Sequence, residues 1–411
     1  MRVGPAGEFH LTYCSNIHPG ESWPEVRANL ERHLLPLKAQ LAPEAPFGVG
    51  LRLSARAADE LAQAPGELDR FAAWLEANGL YVFTLNGFPH GGFHRTTVKD
   101  QAYAPDWTRP EREIYTLRLA RLLARLLPVG LDGGISTVPL SYKRWHAGEG
   151  ARDAVRGEAS LRIASVAAAL ARLEAETGRR IHLDIEPEPD CLLEDTAETV
   201  TFFRERLLRD GAARLAADWG LSRAAAEELL LRHVRVCWDA CHAAVEYEEP
   251  AAVLDGLGRA GIRVGKVQVS AALKVPLGEA PARDDLARRL RPFAESTYLH
   301  QVVERRADGT LRRHADLPQA LERIREADAV EWRIHFHVPV FAAFCGGLSS
   351  TQDELRATLD LLRQRPFCQH IEIETYTWEV LPPEQRLDIG RSIRREFDWV
   401  LGVLGRPAGS A

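Results

Sequence analysis

Short apolar runs alternate with longer segments of helical period along nearly all of the 411 residues. The runs at 9–17, 47–53, 80–86, 131–138, 181–187, 233–240 and 264–271, with later ones at 332–340 and 370–376, have the length and β-branched content of buried strands. Between them lie 24–41, 55–78, 109–127, 157–178, 194–210, 249–260, 283–295, 317–328 and 351–365, whose apolar residues recur at three- and four-residue steps. That spacing predicts amphipathic helices. A last segment of this kind, 384–404, follows Pro382-Pro383, a good place for a helix to begin. Strand then helix, repeated about eight times, predicts an α/β fold and favours a (β/α)8 TIM barrel over an open doubly wound sheet. No G-x-G-x-x-G follows the first strand, which weakens the dinucleotide-binding alternative.

A barrel of this kind takes about 250 residues, so much of the chain is left for insertions. The expected organisation is one domain over 1–404, with insertions near 87–110, 139–156, 211–232 and 275–316, and a flexible tail at 405–411. The segment 87–110 directly follows a strand, where a barrel places its catalytic loops, and is a candidate lid or pocket wall. The segment 297–316 reads as a hairpin turning at Asp308-Gly309. One strand too many is then present, and the place of 332–340 is open.

Acidic residues recur at the ends of separate apolar runs. Glu186 closes Ile-His-Leu-Asp-Ile-Glu, Asp239 closes Val-Arg-Val-Cys-Trp-Asp, and Glu374 closes Ile-Glu-Ile-Glu. A buried strand has no ordinary use for a carboxylate at its end, whereas carboxylates converging from several strand ends can hold a divalent cation. Pro187 stops the strand beside Glu186. Asp239 begins an Asp-x-x-His that brings His242 to the same pocket, as acid/base or substrate contact. By alternation Glu372 points to the same side as Glu374, where it lines the interior or pairs with an arginine deeper down.

The fourth ligand has two candidates. Gln268, central in its strand, offers a neutral carbonyl oxygen, and an all-oxygen set of Glu186, Asp239, Gln268 and Glu374 suits Mg²⁺ or Mn²⁺ better than Zn²⁺. His335 and His337 share one face of their strand, and His337 as ligand would shift the preference toward Mn²⁺, Fe²⁺ or Zn²⁺. His90 and His94 either cap the pocket or structure a glycine-rich loop, and Lys274 either binds a substrate oxygen or sits on the surface.

The net charge of -6 gives no basis for strong binding to nucleic acid or anionic membrane, and the basic clusters at 288–291 and 394–395 lie in helix-like stretches. No run approaches 18 uninterrupted apolar residues, and the first residues lack the apolar core of a secretory signal, so no membrane insertion is expected. The six cysteines are scattered without a C-x-x-C pair, which fits reduced thiols and a cytoplasmic protein.

A Glu at the fifth strand, Asp-x-x-His at the sixth, His or Gln at the seventh and Glu at the eighth resembles the xylose-isomerase-like TIM-barrel superfamily of sugar isomerases and epimerases. Here the pattern falls on Glu186, Asp239 with His242, Gln268, and Glu374. The resemblance implies proton movement between carbons flanking a carbonyl of a polyol or keto-sugar-like substrate. A metal would polarise the oxygens, Glu186 and Glu374 would act as bases, and His242, Lys274, His335, His90 and His94 would contact the substrate. The stretches 11–23, 335–341 and 374–383 are more closely similar to one branch, the EboE-like metabolite traffic proteins. That likeness implies a bacterial gene cluster for a secondary metabolite, with the proteins of the cluster as partners. The gap between Gln268 and Glu374 is far longer than in small epimerases, which keeps His337 as rival for the seventh position. Two alternatives stand beside this reading. One is a multi-zinc phosphoester hydrolase related to apurinic endonucleases, with ligands from His90 or His94, Glu186, Asp239, His242, His335, His337 and Glu374. The other is a carrier or scaffold without catalysis.

Overall fold

Eight parallel strands follow one another around a ring in chain order: β1 (Phe9–Tyr13), β2 (Phe47–Arg52), β3 (Leu80–Asn86), β4 (Gly133–Thr137), β5 (Ile181–Ile185), β6 (Val234–Asp239), β7 (Val264–Val269) and β8 (His370–Ile373). In this computed structural model residues 1–407 are described except 95–96, 326–327, 382, 384–385 and 387; residues 408–411 and the side chains of 280–281 also lie outside the description. The last strand pairs with the first, His370 opposite His10, so β8 and β1 meet as neighbours. Between β1 and β2 the seam is carried by a single parallel bridge, Cys14 to Gly50. The Thr12 hydroxyl completes it, accepting from the Gly50 amide at 2.8 Å and donating to the Gly48 carbonyl at 2.9 Å.

The helical segments depart from the sequence pattern where glycine and proline intervene. The stretch 55–78 forms two helices, Ala55–Gln63 and Glu67–Ala77, because Pro65 and Gly66 interrupt it, and Gly66 takes φ 69°. The helix Gly148–Thr177 starts well before residue 157, and 211–232 is mostly helical, in Ala212–Trp219 and Arg223–His233. No described helix is long and apolar enough to cross a membrane. All six cysteines are buried.

The extra strand finds its partners outside the barrel. Between β7 and β8 the chain builds a second, antiparallel sheet from Leu273–Pro276, Val302–Arg306, Leu311–His314, Ala329–Ile334, Phe344–Cys345 and Leu348–Ser350. Ala329–Ile334 pairs with Val302–Arg306 on one side and Leu273–Pro276 on the other. The hairpin turning at Asp308-Gly309 joins Val302–Arg306 to Leu311–His314. This inserted sheet supplies the residues that follow Ile334 to the barrel mouth.

The barrel interior is polar. Lys266 on β7 donates to Glu372 on β8 at 2.6 Å and to Ser136 on β4 at 2.9 Å, all fully buried. Glu372 therefore pairs with a lysine, not with an arginine. Burial pulls the ammonium pKa down, but the charge of Glu372 outweighs it and holds the group above the usual lysine range. Gly50 is needed here, since a Cβ at this position would stand 2.1 Å from Glu372 Oε1.

The C-terminal helix, Ile389–Leu404, closes the base of the β8 loop through Glu396. Its Oε1 accepts from Thr375 Oγ1 at 2.6 Å and from the Val340 amide at 3.2 Å, and burial pushes its pKa up to about 8. A raised folded-state pKa gives stability that is present below the unfolded value of about 4.3 and is lost as pH rises through the folded one. Glu396→Gln is therefore expected to flatten the stability profile between pH 4.5 and 8, and to stabilise the protein above that window. Urea midpoints measured across the pH range check this; equal slopes in the two proteins would refute it.

Candidate metal and active site

Three strand ends bring their carboxylates together at the mouth of the barrel. Glu186 and Glu374 directly follow β5 and β8, their amides held by Thr137 O at 3.1 Å and Val269 O at 3.0 Å. Asp239 is the last residue of β6 and caps the helix Ala240–Val245, accepting from the His242 amide at 3.0 Å through Oδ1. Oxygens of the three lie within 4.8 Å of one another, all buried. Asp239 Oδ2 and Glu186 Oε2 are buried with no protein partner. Burial first, then the charges of Glu374 and Asp239, push Glu186 well above the usual carboxylate range, and burial with the charges of Asp239 and Glu372 does the same to Glu374. Orphaned oxygens in a cluster of like charge are what a divalent cation would satisfy, so the residues fit one.

Glu374 is the most firmly held of the three. Its Oε1 accepts from Asn16 and Asn86, both at 2.7 Å, and its Oε2 from Gln268 Nε2 at 2.5 Å. Gln268 in turn accepts from Cys237 Sγ at 2.6 Å, so both ends of its amide are engaged and it stands as a holder of Glu374. Asn16 and Asn86 were not visible as site residues in the sequence. An isolated asparagine has no periodicity to betray it, although Asn86, at the end of β3, obeys the same strand-end rule as the acids.

The imidazoles come from two sources. His242 lies one turn into the helix after β6, and its Nδ1 donates to Pro187 O at 3.0 Å. His335 and His337 follow the inserted strand Ala329–Ile334 rather than lying on it, yet both line the cavity at the mouth. His335 Nδ1 lies 2.8 Å from Gln301 Oε1, and His337 Nδ1 2.7 Å from Glu374 O. Burial lowers the pKa of all three rings.

Glu186, Glu188, His242, His335, His337 and Glu374 line a narrow cavity of about 50 Å³. Phe88, Phe93, Tyr298 and Tyr376 form its apolar wall. Glu188, which the sequence reading passed over, accepts from Tyr103 Oη at 2.7 Å, and burial raises its pKa to about 8.

The remaining sequence candidates sit away from the cavity. His94 stands behind it, its ring at the Asn16 carbonyl and 3.3 Å from Tyr298 Oη. His90 packs edge-on against Tyr115 at 4.9 Å between ring centroids. Lys274 lies on the inserted sheet and is paired with Asp353 at 2.7 Å and Glu354 at 3.0 Å.

No family model and no curated protein matches the sequence. Among solved structures, a xylose isomerase-like TIM barrel protein from Mycobacterium smegmatis, in complex with magnesium, aligns over 97% of this chain and 98% of its own at 10% identity, with a TM-score of 0.50. The IolI protein with a bound zinc atom aligns over 96% of this chain and 98% of its own, at 11% identity and a TM-score of 0.48. AsbF of Bacillus anthracis, a probable 3-DHS dehydratase of petrobactin synthesis, aligns over 95% and 97%, at 11% identity and a TM-score of 0.46. At such identities likeness speaks for the fold alone. The chain has an α/β fold, a (β/α)8 barrel.

Proposed function

We propose that the protein is a metal-dependent isomerase or epimerase-like enzyme acting on a small polyhydroxylated molecule, of the sugar or cyclitol kind. The observation that carries this reading is the pair Glu186 and Glu374 facing one cavity, with Asp239 within 4.8 Å of both. Three carboxylates offer only oxygen, which suits Mg²⁺ or Mn²⁺. When bound, such a cation supplies positive charge that polarises substrate oxygens and acidifies the neighbouring C–H.

The roles of the protein groups follow from their hydrogen bonds. Glu186 has a buried oxygen without a partner and is the group placed to take a proton. Glu374 is held by three amide donors and faces the substrate as a fixed acceptor. His242 orients a substrate oxygen, its ring fixed by Pro187 O. The aromatic wall excludes water from the exchanging proton. The three stretches similar to EboE-like proteins supply Asn16, His335, His337, Glu374 and Tyr376 to this one cavity, which supports a place in processing a bacterial secondary metabolite.

Solvent-deuterium incorporation tests the reading. Metal-replete protein is expected to label one carbon-bound position in a member of a panel of keto-sugars and cyclitols. Glu186→Gln should slow that exchange by about 10²–10⁴-fold. A folded, metal-loaded protein that leaves the whole panel unlabelled would overturn it.

A further inference from the structure

We propose that the chain carries an anion site apart from the barrel mouth, beside the inserted sheet, and that it takes a phosphate-bearing small molecule. Four arginines, Arg144, Arg312, Arg313 and Arg323, line one cavity of about 350 Å³. They arrive from three separate segments. Arg144 lies in the single turn Lys143–Trp145, Arg312 and Arg313 in the edge strand Leu311–His314, and Arg323 directly after the helix Leu317–Glu322. No residue lining this cavity lines the one at the mouth, so the inference stands apart from the metal reading.

Two of the four guanidiniums are held in place. Asp190 accepts from Arg144 Nε at 2.7 Å and Nη2 at 3.0 Å, and Glu246 accepts from Arg313 Nε at 3.3 Å and Nη2 at 2.5 Å. Both carboxylates are buried. Each grips one side of a planar five-donor fork and leaves the Nη1 hydrogens to another acceptor. Glu194 also approaches Arg313, at 3.4 Å, but it is matched by Lys143 at 2.6 Å. Arg312 and Arg323 have no ion-pair partner among the described residues. Glu322 is the one acid among the described lining residues, and it is exposed.

The charge of Arg312 and Arg323 is thus gathered in a concave place beside two oriented forks, where field lines converge and raise the local concentration of anions. Guanidiniums meet the oxygens of a phosphate two at a time, whereas a lone carboxylate satisfies a single fork. Several forks around one cavity therefore call for a ligand with more anionic oxygens than a carboxylate has. Fixed donors come from Arg144 and Arg313, and uncompensated charge from Arg312 and Arg323. The cavity falls at the lower end of ordinary small-molecule pockets, about 300–1,000 Å³, which leaves room for what the phosphate is attached to. Asp190, which orients Arg144, lies two residues past Glu188 of the mouth cavity, so one loop anchors both places.

The test uses the full chain, stripped of metal by chelator and desalted, so that no divalent cation holds phosphate at the mouth. It is titrated calorimetrically with inorganic phosphate, pyrophosphate, glucose 6-phosphate and ADP at physiological salt. Wild-type protein is expected to bind pyrophosphate at one equivalent per chain. Arg312→Gln/Arg323→Gln, at positions with no ion pair to lose, should weaken that binding about tenfold to a hundredfold. Arg144→Gln should weaken it in the same direction. Pyrophosphate and ADP binding equally would support a site that reads phosphate groups alone; tighter binding of ADP or of glucose 6-phosphate would support it and name the source. No saturable binding of any of the four, or binding that the double variant leaves unchanged, overturns the site. Should the variant fail to fold, tungstate in wild-type crystals decides the matter by anomalous scattering: a peak among the four arginines supports the site, and its absence there overturns it.

Discussion

Lys266→Met is expected to destabilise the protein by about 3–5 kcal/mol, the cost of leaving a buried charge without its partner. Glu372 has no route to solvent, and its Oε1 already lacks a hydrogen-bond partner. The lysine supplies the one strong donor to the other oxygen, at 2.6 Å. Removing both charges together, in Lys266→Met/Glu372→Leu, should recover most of the loss, because two apolar groups of similar volume can replace a buried ion pair at little net cost. Urea unfolding of the two single variants and the double variant forms the cycle. A single variant costing under about 1 kcal/mol would mean that no buried ion pair holds these two residues.

The second large effect concerns Asp239→Asn, which should change stability and metal affinity in opposite directions. Asparagine keeps the Oδ1 acceptor for the His242 amide and the Ser270 hydroxyl, so the helix cap survives. What is lost is a negative charge among carboxylates that repel one another. Metal-free protein should therefore gain about 1–2 kcal/mol, seen as a rise in Tm of roughly 1–3 °C for a chain of this length. In wild-type protein a divalent cation at 100 times its Kd adds about 2.7 kcal/mol. In Asp239→Asn that metal-induced rise should vanish, since the substitution removes one of the three carboxylates proposed to hold the cation. Thermal melts with and without Mn²⁺ or Zn²⁺ measure both halves. A variant less stable than wild type without metal, or equally stabilised with it, would contradict the reading.

The barrel strands and the acids at their ends were legible because burial on both faces leaves a continuous apolar run, and a carboxylate terminating such a run stands out. The inserted sheet was only half legible. Its hairpin has a turn signal at Asp308-Gly309, but Ala329–Ile334 looks like any barrel strand, and nothing local distinguishes an antiparallel partner from a parallel one. Lys274 illustrates the other difficulty. Its place in sequence puts it close behind a site strand, yet Asp353 and Glu354, far along the chain, decide what it touches. Gln268 lies where a fourth ligand was sought, but the side-chain hydrogen bonds, which no spacing reveals, turn its amide toward Glu374. The histidines were legible as a group and not as an arrangement: the alternation of His335 and His337 gave a shared face, but only the fold brings His242 to within 3.1 Å of one of them.

The seam where the last barrel strand meets the first has a consequence for how the molecule comes into being. Asn16 and Glu374 touch at 2.7 Å across 358 residues of chain. During synthesis at about 5–20 residues per second, the earlier strands wait tens of seconds with an open edge and an incomplete carboxylate trio. Under the proposed reading, the carboxylate trio can hold a cation only after β8 has left the ribosome. A nascent chain halted before that strand would lack the pocket however well its other strands had formed.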